Sequence, residues 1–256
     1  MDQTILVTGS SGKLGTAVVS ELLGRGLTVR GFDRKSSELL PATLTGDITD
    51  RAALDRAMNG VDTLIHLAAT PDDDDFIASL LPNNLASLYH VMESARCAGV
   101  RRIVLASSSQ VNWWQRLSGP FPISENQPPA PKAWYAATKM FMESIGYSYS
   151  QMHGISVIVA RIGWCPRPGQ EREIHKTDWA QDVYLSPGDA GRFFACCISA
   201  PETLRHLVVN VTSIPKRVQR IDLSVARDVL NFTPSETYPQ GMEPVQQAPE
   251  QILETV

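Results

Sequence analysis

Apolar runs of strand length alternate with helical patterns through the first two thirds of the chain. Residues 5–8, 27–32, 63–66, 102–106 and 156–160 are short, aliphatic-rich segments that read as strands. Between them, Leu14, Ala17, Val18 and Leu22 recur at helical spacing, as do Leu85, Leu88, Tyr89 and Met92. Gly24-Arg25-Gly26 and Gly99 supply helix stops. Strand and helix in regular alternation predict βαβ units, and therefore an α/β fold with a doubly wound parallel sheet.

After Ala160 the pattern changes. Pro166, Pro168, Gly169, Pro187 and Gly188 interrupt it, and regular alternation becomes sparse. A helix over 187–200, a strand over 207–211 and a helix over 221–230 are expected there. Residues 1–160 thus read as the alternating α/β core. Residues 161–256 read as a small C-terminal substrate-binding region, with elements returning to the core and a Pro-, Gln- and Glu-rich surface arm from Tyr238 onward.

Composition narrows the function classes. Hydrophobic residues make up 43% of the 256-residue chain and charged residues 20%, enough for one large core and unlike a disordered chain. A net charge of -4, with Arg101-Arg102 the only compact basic pair before a strand, argues against a nucleic-acid binder. Residues 1–7 hold no basic segment and only a three-residue apolar run, so neither a signal peptide nor a membrane span is expected there, and the cytoplasm is the expected location. Cys97, Cys165, Cys196 and Cys197 lack the spacing of a disulfide framework or zinc site and read as small apolar fillers. The five histidines show no metal spacing, and His66 reads as a packed residue at a strand end. Asp72–Asp75 reads as a solvated loop or as favourable charge at a helix start before Phe76.

The first chemical signal is Thr8-Gly9-Ser10-Ser11-Gly12-Lys13-Leu14-Gly15, between an apolar strand and an amphipathic helix. Gly9 permits a sharp turn, Gly12 removes a side chain where a pyrophosphate must approach, and Gly15 allows close helix–sheet packing. Asp33 ends the second expected strand, 18 positions after Gly15, where a carboxylate accepts from the ribose hydroxyls of a dinucleotide and repels a 2′-phosphate. NAD is therefore expected over NADP, with Arg34 and Lys35 the neighbouring cations that would serve a phosphate. Asp47 and Ile48 either cap an adenine ring or belong to the start of the helix over 51–58.

The second signal is Tyr135-Ala136-Ala137-Thr138-Lys139, preceded by Pro128-Pro129-Ala130-Pro131, so that the helix begins near the tyrosine. A spacing of four puts Tyr135 and Lys139 on one face. A phenol is a weak base near neutrality, and a neighbouring ammonium favours its ionised form. Ser107-Ser108-Ser109 follows the fourth expected strand, at the carboxyl edge where open parallel sheets bind ligands.

With these residues in this order, the chain resembles the extended short-chain dehydrogenase/reductase superfamily, the group of NAD-dependent epimerases and dehydratases. The resemblance runs from Thr4 to about Pro234 and includes His66-Leu67-Ala68-Ala69, Asn84 and Leu230-Asn231-Phe232-Thr233-Pro234. Within that group it is most similar to uronate dehydrogenases, through 102–108, Arg161-Ile162-Gly163-Trp164-Cys165 and the 179–188 segment. Under a hundred residues follow Ala160, which suits a small free substrate better than a nucleotide sugar.

The resemblance implies a Rossmann-like core and a dinucleotide site formed by Gly9, Ser11, Gly12, Lys13, Leu14, Gly15, Asp33, Asp47, Ile48, Leu67, Ala68, Ala69, Asn84, Tyr135, Lys139 and Ile162. It implies catalysis by Ser108, Tyr135 and Lys139, and substrate contacts from Ser108, Ser109, Gln110, Tyr135 and Arg172, the last clamping a carboxylate. The implied reaction is oxidation of a sugar hemiacetal hydroxyl to a lactone by a homodimer or higher homo-oligomer, with helices near 85–98 and 135–152 in contact. Epimerisation with retained NAD and a non-catalytic dinucleotide sensor are the alternatives. Ser109-Gln110 stands where uronate enzymes have Asn and His, Pro71 replaces a substrate-binding serine, and Trp113-Trp114 adds bulk to the same pocket.

Overall fold

The computed structural model describes residues 3–41, 43–167 and 169–242. The first βαβ unit is β1 (Thr4–Thr8), α1 (Lys13–Gly24) and β2 (Thr28–Asp33), followed by a two-residue β3 (Leu44–Thr45), α2 (Arg51–Met58) and β4 (Thr63–His66). A wide π-helical segment, Phe76–Ala86, leads into α3 (Ser87–Cys97) and β5 (Arg102–Ser108). A 3-10 turn (Ser109–Asn112) and the short α4 (Gln115–Ser118) precede α5 (Trp134–His153) and β6 (Ser156–Ile162). The chain continues through α6 (Glu171–His175), α7 (Asp178–Asp182), α8 (Pro187–Ile198), β7 (His206–Val211) and α9 (Ser224–Leu230).

All strand pairs are parallel, in the order β3-β2-β1-β4-β5-β6-β7. The sheet is built outward from β1 in one direction and then in the other, which gives the expected doubly wound, Rossmann-like architecture. β4, β5 and β6 are buried along their whole length, as strands covered on both faces must be, and this is why they appear in the sequence as continuous apolar runs.

The two-residue period of each strand divides the core. Ile5, Val7, Val104, Ala106, Ile158 and Ala160 pack with α1, α8 and α9 on one face. Leu6, Leu64, Ile103, Leu105, Val157 and Val159 pack with α2, α3 and Met142 of α5 on the other. α1 and α8 approach closely at Gly191, where a Cβ would come within 2.8 Å of the Glu21 Cβ and 3.0 Å of the Ala17 carbonyl oxygen.

The region after Ala160 is less separate than its sequence texture suggests. β6 runs on to Ile162, β7 extends the same sheet, and α8 lies in the main core. Asp189, at the start of α8, is wholly buried and accepts from Ser213 Oγ at 2.6 Å and from the Ser235 N–H at 2.9 Å. It fastens the segment beyond α9 to the core. Tyr238, expected to open a surface arm, is instead buried against Ile174 and Tyr184; residues 243–256 of that arm lie outside the described residues. Among the described residues, no helix is long and apolar enough to cross a membrane.

Candidate active site

The strand order reverses between β1 and β4, and a cleft of about 1040 Å³ opens at the carboxyl ends of the strands there. Adjacent βα loops diverge to opposite faces at such a point and leave a crevice.

One end of the cleft carries the glycine loop. Gly9 has φ +73°, and a Cβ there would lie 2.8 Å from the Ala68 nitrogen. A Cβ at Gly15 would come within 2.0 Å of the Gly9 carbonyl oxygen, so the loop closes on α1 only without that side chain. Gly12 differs: an added Cβ would meet nothing nearer than 3.4 Å. Its bare face borders the cleft, and no side chain caps the N-terminus of α1. Free N–H groups there suit an anion.

Asp33, at the end of β2, is held by this loop. Its Oδ2 accepts from the Ser11 N–H and its Oδ1 from the Lys35 N–H, each at 3.0 Å. Each oxygen keeps a lone pair for a further donor. Asp47 and Ile48 border the same end. Asp47 accepts from the Thr49 N–H and hydroxyl, which hold its carboxyl below the usual range, whereas the cap of α2 is Asp50. The helix cap is therefore Asp50, and Asp47 stands on the cleft wall. Leu67, Ala68, Ala69 and Ile162 line the middle of the cleft. A carboxylate, an anion-accepting helix end and an apolar strip in sequence fit an extended dinucleotide.

At the other end, Ser108, Tyr135 and Lys139 come together and are all buried. Ser108 is the last residue of β5, and the β5–β6 register sets it opposite Ile162. Tyr135 lies in the first turn of α5, where Asp73 accepts from its backbone N–H at 3.0 Å. Its phenol meets the Ser108 hydroxyl and the backbone of Asp72. Burial pushes the phenol up to about 12, against the opposing effect of the Ser108 hydrogen bond. Lys139 lies one turn along the same face. Its Nζ donates to the Ala106 carbonyl at 2.8 Å and sits 5.5 Å from the centre of the Tyr135 ring. Burial lowers its pKa to about 8.

A polar network lies beneath this group. Glu143, one turn beyond Lys139, accepts from Ser107 Oγ at 2.6 Å and from two Arg161 nitrogens at 3.0 and 2.8 Å. The Arg161 and Glu143 side chains are only 4% and 11% exposed. Tyr135, Lys139 and Glu143 therefore tie one stripe of α5 to three consecutive residues of β5. His66 ends β4 beside them, with its Nδ1 2.8 Å from the Thr8 hydroxyl; burial, aided by the Lys139 charge, lowers its pKa to about 3. It is a neutral, packed residue, as its sequence position suggested.

Two residues expected at the site lie elsewhere. Asn84 does not line the cleft: its amide accepts from the Thr70 N–H and donates to the Thr70 carbonyl and to Thr138 Oγ1, so it braces the β4 loop against α5. The wide turn of the π-helical segment directs the neighbouring Asn83 to the cleft instead. Arg172 is exposed on α6 and also lies off the cleft wall. The arginine of this stretch that does line it is Arg167, which donates to the Pro71 carbonyl at 2.9 Å and lies 3.8 Å from Asp72. Of the tryptophan pair, Trp113 lines the cleft, whereas Trp114 is half exposed and does not.

Asp72 was not anticipated as a site residue. Its φ of +81° is unusual for a residue with a side chain, and it accepts from the Gln110 amide at 3.1 Å. The four-aspartate run contained it, but the run is not uniform. Asp72 and Asp73 address the Tyr135 end of α5, Asp74 accepts from Ser79, and Asp75 caps the helical segment through the Ala78 N–H.

Comparison with known proteins agrees with this geometry. The family model described as "NAD dependent epimerase/dehydratase family" matches residues 5–173. L-arabinose 1-dehydrogenase (NAD(P)(+)) of Haloferax volcanii is 30% identical over 82% of this chain and 87% of its own length. The NAD-dependent glucose-6-phosphate dehydrogenase of the same organism is also 30% identical, over 92% of this chain and 94% of its own. The crystal structure of a glucuronic acid dehydrogenase from Chromohalobacter salexigens superposes with a TM-score of 0.76 at 26% identity, covering 93% of this chain and 86% of that one. With a matched segment that spans the glycine loop, Asp33 and the Ser108–Tyr135–Lys139 group, the chain belongs to the NAD-dependent epimerase/dehydratase family.

Proposed function

We propose that the protein is an NAD-dependent dehydrogenase that oxidises the anomeric hydroxyl of a small sugar to a lactone. The observation that carries this reading is the meeting of Ser108, Tyr135 and Lys139 at one end of a cleft whose other end presents Asp33 and the bare N-terminus of α1. NAD, when bound, supplies the hydride acceptor.

Ser108 accepts or donates at the reacting oxygen and holds it against the Tyr135 hydroxyl. Tyr135 removes the hydroxyl proton as the carbon gives up hydride, and the Lys139 ammonium favours the phenolate that does so. Asp33 favours NAD by accepting from ribose hydroxyls and repelling a 2′-phosphate. Trp113, Trp164 and Trp179 line the substrate end and offer flat apolar faces to the C–H side of a sugar ring. Uronates remain the form that the sequence resemblance names, with Arg167 in place of Arg172 as the arginine that the 163–177 stretch brings to the cleft wall.

The test is NADH absorbance across aldoses, uronates and simple alcohols, with NAD and NADP in parallel. Net NADH from sugars, stronger with NAD, is the expected result. Retained NAD with sugar interconversion and no net NADH would replace this reading by epimerisation.

The pH profile adds a check. Below pH ~8 the Tyr135 base form grows about tenfold per unit while Lys139 stays charged; above it, the gain in phenolate is offset by loss of the ammonium. Oxidation should therefore rise steeply toward pH ~8 and level off above it; a rate that falls as the pH rises from 6 to ~8 would contradict Tyr135 as the base.

A homodimer through α3 and α5 belongs to the same proposal. Tyr89, Phe141, Tyr147 and Met152 project from these helices and are exposed by 42% or more. Sedimentation should give twice the 28.1 kDa chain mass; a monomer at micromolar concentration would refute it.

A further inference from the structure

The substrate end of the cleft holds two cations that the reaction does not use. Arg116, on α4, lines the cleft with its guanidinium carbon 3.9 Å from the centre of the Trp113 ring. Lys132 lines it from the opposite segment, with Nζ 4.9 Å from the same ring. Backbone hydrogen bonds fix this arrangement: the Trp114 N–H donates to Ala130, the Ala130 N–H to Val111, and the Lys132 N–H to Gln110.

Among the described residues, neither cation has a carboxylate partner. The Arg116 Nε is buried and makes no hydrogen bond. Two acids on the same wall are already engaged: Asp72 by Gln110 and Arg167, and Asp74 by Ser79. Glu173 and Lys176 also line the cleft. A buried guanidinium nitrogen without an acceptor is costly unless a ligand supplies one. The chain as a whole carries a net charge of -4, so a general cationic excess does not account for the pair.

Placement relates the pair to the reacting carbon. Lys132 precedes Tyr135 by three residues, so their Cα atoms lie within about 10 Å of each other. Gln110, which accepts from the Lys132 N–H, is two residues beyond Ser108. Ser108, Tyr135, Arg116 and Lys132 thus border one cleft, so a sugar with its anomeric carbon at Ser108 and Tyr135 would direct its remaining carbons into the space that the two cations line.

We propose that Arg116 and Lys132 form an anion subsite beside Trp113 that selects a sugar carrying a terminal phosphate monoester. Two unpaired cations match the two negative charges of a phosphate monoester, whereas a carboxylate would leave one unmatched. The inference rests on the proposed sugar oxidation for where the rest of the molecule lies.

The test compares D-glucose 6-phosphate, D-glucuronate and D-glucose in NADH formation, at low and high salt. The phosphate ester should exceed glucose in kcat/KM by about 100-fold, with the advantage shrinking at high salt. Arg116→Ala with Lys132→Ala should reduce the ester-to-glucose ratio to near one, and Arg116→Lys should keep part of it. A wild-type ratio near one, a ratio unchanged in the double variant, or a preference for glucuronate over the ester would overturn the proposal while leaving the sugar oxidation intact. If no sugar yields NADH, calorimetric binding of D-glucose 6-phosphate with NAD present decides: at least tenfold weaker binding in the double variant supports the subsite, and equal or undetectable binding in both proteins overturns it. Thermal midpoints of the variants check that each is folded.

Discussion

Replacing Tyr135 by Phe should lower NADH formation by roughly 10²–10⁴-fold, the range over which a positioned acid/base accelerates proton transfer. The substitution removes one oxygen and leaves the ring, so the packing at the start of α5 is preserved. The lost atom is the one that meets the Ser108 hydroxyl and the Asp72 backbone. NAD affinity should change by no more than about twofold, because Asp33 and the glycine loop lie at the opposite end of the cleft. Stopped-flow or steady-state NADH absorbance, with calorimetry for NAD, reads both quantities. Turnover within threefold of the parent would remove Tyr135 from the chemistry.

Replacing Arg161 by Met should cost about 3–5 kcal/mol of stability, because it leaves the Glu143 carboxylate buried without its partner. Arg161 makes two hydrogen bonds to Glu143, and both side chains are almost enclosed. Combining Arg161→Met with Glu143→Leu should recover most of that loss, since an apolar pair of similar volume needs no compensation. Denaturant unfolding monitored by circular dichroism measures both. A single-variant loss under about 1 kcal/mol would show that water reaches Glu143 without Arg161 and that the pair is not a buried one in effect. The effect should also reach function. Ser107 donates to Glu143, and Ser108 is the next residue on β5, so kcat should fall in the single variant at temperatures where it remains folded.

The parallel sheet was legible in the sequence because strands buried on both faces carry uninterrupted apolar runs through their middle, as at Leu64–Ile65, Ile103–Ala106 and Val157–Ala160. The loop from Thr8 to Gly15 was legible for a related reason. Gly9 and Gly15 occupy positions where any Cβ would meet backbone, and such a requirement leaves glycines at fixed spacing. The stretch after Ala160 was harder. β7 and α8 complete the same core, but the prolines and glycines from Pro166 to Gly188 broke the alternation that marks βαβ units. β3, with two exposed residues, has no apolar pattern to read.

Among site residues, Tyr135 and Lys139 were readable because a spacing of four on one helix is local geometry. Arg172 was displaced from its expected role because the 163–177 stretch is irregular, and its path depends on Arg167 reaching Pro71, 96 residues earlier in the chain. Asn84 failed for a different reason: the π-helical segment turns more slowly than an α-helix, so the residue facing the cleft is its neighbour.

The sequence by itself therefore determined the α/β class, the dinucleotide end of the cleft and the pairing of Tyr135 with Lys139. Each follows from periodicity, steric exclusion or spacing within a single element. Only the tertiary structure decided that Asp72 adopts φ +81° beside the phenol, that Arg167 lines the cleft, and that Arg116 and Lys132 meet at Trp113 with no carboxylate partner among the described residues. Those arrangements join residues on separate loops. The direction of a loop side chain is set by contacts distant in sequence, and no local pattern encodes them.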